Sequence, residues 1–216
     1  MTIHTARLGV REFRVIRPAG APLRASLRFG GDNHMVFASS GAAMRIAAFW
    51  EIAARSPHTL VHVPLRGDGT APQGWHEIVT AGSGLDLLLT PRQMQFAGHE
   101  WKRLRSRLGR GRPATFALPP GAIDSEDKRA FTKLWDREST RKLDLAVHAE
   151  TLVVTGDRTT LRYGRDLFTH VGRESLRARG SDPLSYTSNE IHESDVVLRR
   201  HESGIYLWIP RDQRWV

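Results

Sequence analysis

Residues 85–98 read Leu85-Asp86-Leu87-Leu88-Leu89-Thr90-Pro91-Arg92-Gln93-Met94-Gln95-Phe96-Ala97-Gly98, and they align without a gap on residues 143–156, Leu143-Asp144-Leu145-Ala146-Val147-His148-Ala149-Glu150-Thr151-Leu152-Val153-Val154-Thr155-Gly156. The opening Leu-Asp-Leu and the closing Gly are identical, while Leu89/Val147, Met94/Leu152 and Phe96/Val154 keep their apolar character. Each copy reads as a hairpin followed by a helical pattern. Two β-β-α units are thus the expected basis of an α+β fold with mainly antiparallel sheets and three to four helices.

Working outward toward the N-terminus, residues 3–17 alternate apolar and charged side chains and read as one strand, ending at the Pro18–Pro22 turn. Leu23–Phe29 and Met35–Ala38 form a hairpin across Gly30-Gly31-Asp32-Asn33. Ser39 or Ser40 caps a helix over 41–55, and strands follow at 59–65, 75–80 and 85–90. Beyond the repeat's first copy come a basic helix over 99–108 and a short strand at 114–118. Pro119-Pro120-Gly121 is the natural break between an N-terminal lobe, 1–118, and a C-terminal lobe, 122–216, within one domain or two. Asp124, Glu126 and Asp127 open a helix over 124–137, where acids suit the helix dipole. In the second lobe, 159–163 extends the hairpin of 143–155, 167–176 is helical, and 196–198 pairs with 205–209 in a final hairpin.

At 216 residues, with 40% hydrophobic and 25% charged residues, the chain has an ordinary globular composition and length enough for a sizeable core. Its charge is unusual: the formal net charge is +9, and of the 32 basic residues only Lys102, Lys128, Lys133 and Lys142 are lysines. Arginine forks onto phosphate and stacks on bases, so clustering matters more than number. There is no cysteine, which excludes disulfides, thiolate metal sites and cysteine nucleophiles. No apolar run approaches a membrane span, and residues 1–20 lack the apolar core of a secretory signal, so a cytoplasmic protein is expected. Phosphate-binding Gly-rich loops and the GxSxG pattern are missing too.

The densest cluster is Gly98-His99-Glu100-Trp101-Lys102-Arg103-Leu104-Arg105-Ser106-Arg107-Leu108-Gly109-Arg110-Gly111-Arg112-Pro113. Trp101, Leu104 and Leu108 fall on one helical stripe, leaving Lys102, Arg103, Arg105 and Arg107 around the other side, with Arg110 and Arg112 in the loop beyond. A positive helix feeding a positive loop suits a nucleic acid, expected to be DNA, contacted by Lys102, Arg103, Arg105, Arg107, Arg110 and Arg112. Arg110-Gly111-Arg112-Pro113 resembles the core of the AT-hook, which implies two arginines laid into a narrow minor groove. A basic module docking on an acidic protein is a further expectation from the same charges.

Asp86 with Glu100-Trp101-Lys102 resembles the Asp…Glu-x-Lys pattern of the PD-(D/E)xK nucleases. That resemblance implies an enzyme in which Asp86 and Glu100 hold Mg²⁺ and Lys102 assists the attacking water. Gly98 and His99 stand where that family carries apolar strand residues. Without this alternative no cofactor is expected. The ten histidines include His58 and His62 at a ligand-like spacing, and Trp215 lies beside Arg211 and Arg214 at the C-terminal end.

Overall fold

The computed structural model describes residues 1–30, 33–66, 83–123, 143–177, 186–191 and 205–210. The strands foreseen at 75–80 and 196–198, the helix at 124–137 and Trp215 lie outside them. Among the described residues one mixed sheet carries three helices, an α+β architecture. Its strands are β1 (Thr2–Leu8), β2 (Arg11–Arg17), β3 (Ala25–Gly30), β4 (Asn33–Ala38), β5 (Thr59–Val63), β6 (Ser83–Pro91), β7 (Arg112–Pro113), β8 (Asp144–Val147), β9 (Thr151–Gly156), β10 (Tyr186–Ile191) and β11 (Ile205–Pro210). The helices are α1 (Ser40–Arg55), α2 (Trp101–Arg105) and α3 (Arg158–Arg177). Neighbours run β10-β11-β4-β3-β6-β5-β2-β1-β7, with β9 beside β6 and β8 beside β9. The pairs β2–β5, β4–β11 and β6–β9 are parallel, the others antiparallel. Strands from both sides of Pro119–Gly121 thus share the sheet.

Strand alternation splits the core in two. Val61, Val63, Leu85, Leu87, Leu89, Leu152 and Val154 face α1 and α3, whose Ile46, Trp50, Phe168 and Val171 are buried against them. Leu60, Leu88 and Val153 face the other way, where they join Phe13 and Val15 under Phe96, Trp101 and Leu104. The segment 92–108 therefore acts as a lid on the second face. Helix α1 starts where expected, with the Ser39 hydroxyl accepting from the Ala42 amide at 3.2 Å.

Several expectations are corrected. Residues 3–17 are not one strand but the hairpin β1–β2, turning at Gly9-Val10; Gly9 adopts φ +60°, a conformation that suits glycine. The repeat closes as a hairpin only in its second copy. There Ala149 and Glu150 both take positive φ (50° and 59°), and His148 and Thr151 exchange backbone hydrogen bonds. The aligned positions in the first copy are Pro91 and Arg92, and the proline ring holds φ at −61°, which forbids that turn. β6 accordingly runs to Pro91 and gives way to two 3₁₀ turns, Arg92–Met94 and Gly98–Glu100. The basic helix foreseen over 99–108 contracts to α2. Arg103 and Arg107 would stack like charges four apart, and the Ser106 hydroxyl donates back to the Arg103 carbonyl at 2.9 Å. Residues 159–163 are helical, because Asp157 caps α3 by accepting from the Thr160 amide at 2.8 Å. Residues 114–118 form no strand; pairing with β1 stops at Arg112–Pro113. β11 pairs with β10 and β4.

One histidine sets an acid limit on this fold. His34, on β4, is 4% exposed, packs edge-on against Phe29 at 5.1 Å, and is lowered by burial from 6.5 to about 4. Between those values the unfolded chain binds a proton that the folded chain refuses, so stability falls as pH drops through that window, at most by roughly 1.4 kcal/mol per pH unit. Urea midpoints measured from pH 7.5 to 4.5 should decline less steeply for His34→Leu than for the wild type; equal slopes would contradict this assignment.

Candidate nucleic-acid interface

The basic segment is held to the second face of the sheet by a buried polar cluster. On β6, the Asp86 carboxylate accepts from the backbone amides of Leu65 (3.1 Å) and Arg66 (3.2 Å) and from His62 Nε2 on β5 (3.3 Å). Burial raises the Asp86 carboxyl, but the His62 hydrogen bond and charge, the Arg66 amide and the Arg66 guanidinium outweigh it and leave the group below its ordinary value. Burial likewise dominates at His62, which is held below its ordinary value despite Asp86 and with the help of Arg17 and Arg105. His62 is therefore neutral at neutral pH, with the Nε2 proton directed at the acceptor-only carboxylate. Its ring lies 4.9 Å from that of Trp101, whose indole nitrogen donates to Thr151 Oγ1 at 3.1 Å. Arg105 Nη1 stands 3.8 Å from Asp86 Oδ2. Three strands, β5, β6 and β9, thus converge on the underside of α2.

Above that anchor the cations divide. Arg105 is turned inward, with its side chain only 27% exposed. The side chains of Lys102, Arg103, Arg110 and Arg112 are exposed and form no hydrogen bond or ion pair among the described residues. Arg107 is exposed and donates to the Arg7 carbonyl at 3.0 Å, a bond that leaves its charge uncompensated. Arg107, Arg110 and Arg112 follow the edge of β1. Arg107 lies at its end near Arg7, His4 meets the Gly109 carbonyl at 2.9 Å, and Ile3 pairs with Arg112. The residues resembling an AT-hook are therefore stitched into the sheet edge. Met1 and Ala114 exchange backbone hydrogen bonds just beyond them. A side chain at Gly111 would overlap the His4 ring, so that glycine serves close packing against β1.

Glu100 and Lys102 lie in the 3₁₀ turn and at the start of α2, not on a strand. Glu100 is half-buried and Lys102 exposed. The Asp86 carboxylate is occupied by its amides and His62, and among the described residues no group of three or more His, Cys, Asp or Glu side chains is arranged to hold a metal ion. His58 is exposed in the turn before β5, while His62 is buried within β5 and faces Trp101, so the two do not converge on one site. No helix among the described residues is long and apolar enough to cross a membrane.

A second buried charge cluster had no local signature. Glu51 on α1 is fully buried and meets Arg55, Arg162 (3.2 Å) and Arg165 (2.8 Å), and Arg165 also reaches Asp166 and the Ala122 carbonyl. Only the i, i+4 spacing of Glu51 and Arg55 is visible in sequence; the α3 partners come from more than a hundred residues away.

The fold and this basic edge define an α+β protein with a cationic strip clamped onto one sheet face. Comparison with known protein families, with curated proteins and with solved structures returns no match for this chain.

Proposed function

We propose that this protein binds nucleic acid, with duplex DNA as the partner, through the strip formed by α2, residues 106–111 and β7. The observation that carries the reading is the row of cations Lys102, Arg103, Arg107, Arg110 and Arg112, without a counter-charge among the described residues, on one segment held to the sheet. Such a row costs self-repulsion in the free protein and is relieved by a polyanion whose counterions it displaces. Arg105 serves the strip indirectly, by tying α2 to Asp86. The strip offers no exposed aromatic side chain among the described residues, as Trp101 is fully buried, which favours phosphate contacts over base stacking.

The test is fluorescence anisotropy with labelled duplex DNA, duplex RNA and single strands across a salt series. Five phosphate contacts predict a slope of about −4 to −5 for log affinity against log salt on duplex DNA. Each Arg→Ala change at 103, 107, 110 or 112 should flatten that slope by about one contact. A salt-insensitive affinity would overturn the proposal. Equal binding of poly-glutamate at matched charge would assign the strip to acidic proteins instead.

A further inference from the structure

Resting on that reading, we infer that the β1–β2 hairpin tip is a wedge: Val10 enters between adjacent base pairs of the bound duplex while the neighbouring strip holds the phosphates. Val10 is 100% exposed, the extreme among the large apolar residues described. Single exposed apolar side chains are common on protein surfaces. What distinguishes this one is its mounting. Leu8 and Arg11 close a two-residue turn in which Gly9 takes positive φ, so Val10 occupies the second central position, a place where turn chemistry asks for a small polar residue. It buries nothing there and adds nothing to the core.

The base of the hairpin is immobilised from three directions. Leu8 and Phe13 are packed in the second core beneath Phe96 and Leu104. The Arg11 guanidinium donates to the Met94 carbonyl at 2.6 Å and lies 4.8 Å over the Phe13 ring. Arg107, itself part of the strip, bonds to the Arg7 carbonyl three residues before Val10. Strip and tip therefore move as one body, and Val10 is a short β-branched side chain with little rotamer freedom left to lose. A rigid apolar projection beside phosphate-binding arginines has the parts of a minor-groove wedge, in which partial unstacking bends the duplex onto the protein. A protein partner would place the same Val10 against an apolar pocket, yet beside the Arg7–Glu12 ion pair the tip is flanked by the further cations Arg11 and Arg107.

The experiment uses the full chain, duplexes carrying 2-aminopurine at successive positions, and an end-labelled duplex for bending by energy transfer. At saturating protein the wild type should raise 2-aminopurine emission at one or two adjacent steps and shorten the end-to-end distance. Val10→Ser should abolish both signals and weaken binding by about tenfold at most, the remaining affinity being that of the phosphate contacts. Val10→Phe should restore the emission rise. Val147→Ser, which alters an exposed apolar residue on β8, should change neither signal. Bound wild type with no emission rise, or Val10→Ser with the wild-type rise, overturns the wedge and leaves the phosphate-binding strip standing. No anisotropy change for any duplex with the wild type overturns both readings.

Discussion

Trp101→Ala should destabilise the protein by about 3–5 kcal/mol, the range for removing a large buried aromatic side chain. Trp101 is fully buried, fills the space between α2 and the sheet, packs its ring at a tilt against His62 and donates its indole N–H to Thr151. Its loss opens a cavity against the neutral face of His62, whose Nδ1 is buried without a hydrogen-bond partner. Trp101→Phe keeps one aromatic ring but loses the bond to Thr151 and part of the indole volume; it should cost less than the alanine change, about 1–3 kcal/mol. Urea unfolding followed by far-ultraviolet circular dichroism reads both variants. A Trp101→Ala cost below about 1 kcal/mol would mean that the segment 92–108 is not clamped in the way described. Because the same residue seats the basic strip, DNA affinity should fall alongside stability.

Glu51→Gln should cost about 2–4 kcal/mol, because it removes one of the two carboxylates that face the buried Arg165 guanidinium, the other being Asp166, and the buried counter-charge of Arg162. Arg165 is 7% exposed, and with Glu51 neutral its remaining acceptors are Asp166 and the Ala122 carbonyl. Replacing both partners, as in Glu51→Leu with Arg165→Met, should recover much of the loss, since an apolar pair of similar volume avoids desolvating two charges. If the double variant is no better than the single ones, the cluster is not the source of the cost. The pH dependence has a definite sign. Burial raises the Glu51 carboxyl, but the hydrogen bonds from Arg55 and Arg162 and the charges of Arg165 and Arg162 carry it below its ordinary value of 4.5. Its contribution is complete above that value and is lost as pH falls through the lower, folded-state value. Asp166 is raised, chiefly by burial, and has the opposite sign: the stability it lends at low pH disappears as pH rises. His34 and Asp86 also lose stability as pH falls, so the Glu51 part of the acid limb is the difference between Asp166→Asn and the Asp166→Asn, Glu51→Gln double variant.

What could be read in advance followed the range of each interaction. α1 was legible because its cap, its apolar stripe and its Ser56-Pro57 stop are all local. The β3–β4 hairpin was legible from Gly30-Gly31-Asp32-Asn33. The β1–β2 turn was hidden because Gly9-Val10 lacks the polar partner that marks a turn, and arginines continue the alternation on both sides. The first turns of α3 were hidden by Thr159, Thr160 and Tyr163, which favour strands; the Asp157 cap was the overlooked signal. The exposed cations of the strip were visible as a run of letters. The cluster beneath them was not, since His62, Asp86, Trp101 and Thr151 come from four separate elements. Gly111 shows the limit most clearly: a motif resembling a groove-binding hook also satisfies a packing demand made by His4, more than a hundred residues earlier.

The parallel pairing of β4 with β11 has a consequence for synthesis. His34 lies beside Ile205 in that register, so β4 is made long before the strand that covers its outer edge. At about 5–20 residues per second, the ribosome leaves that edge open for roughly ten to thirty seconds. During this interval Met35, Val36 and Phe37 present an uncovered strand to any other nascent chain, the geometry that templates aggregation. Covering the outer edge of β4 thus waits on β11, the last strand among the described residues.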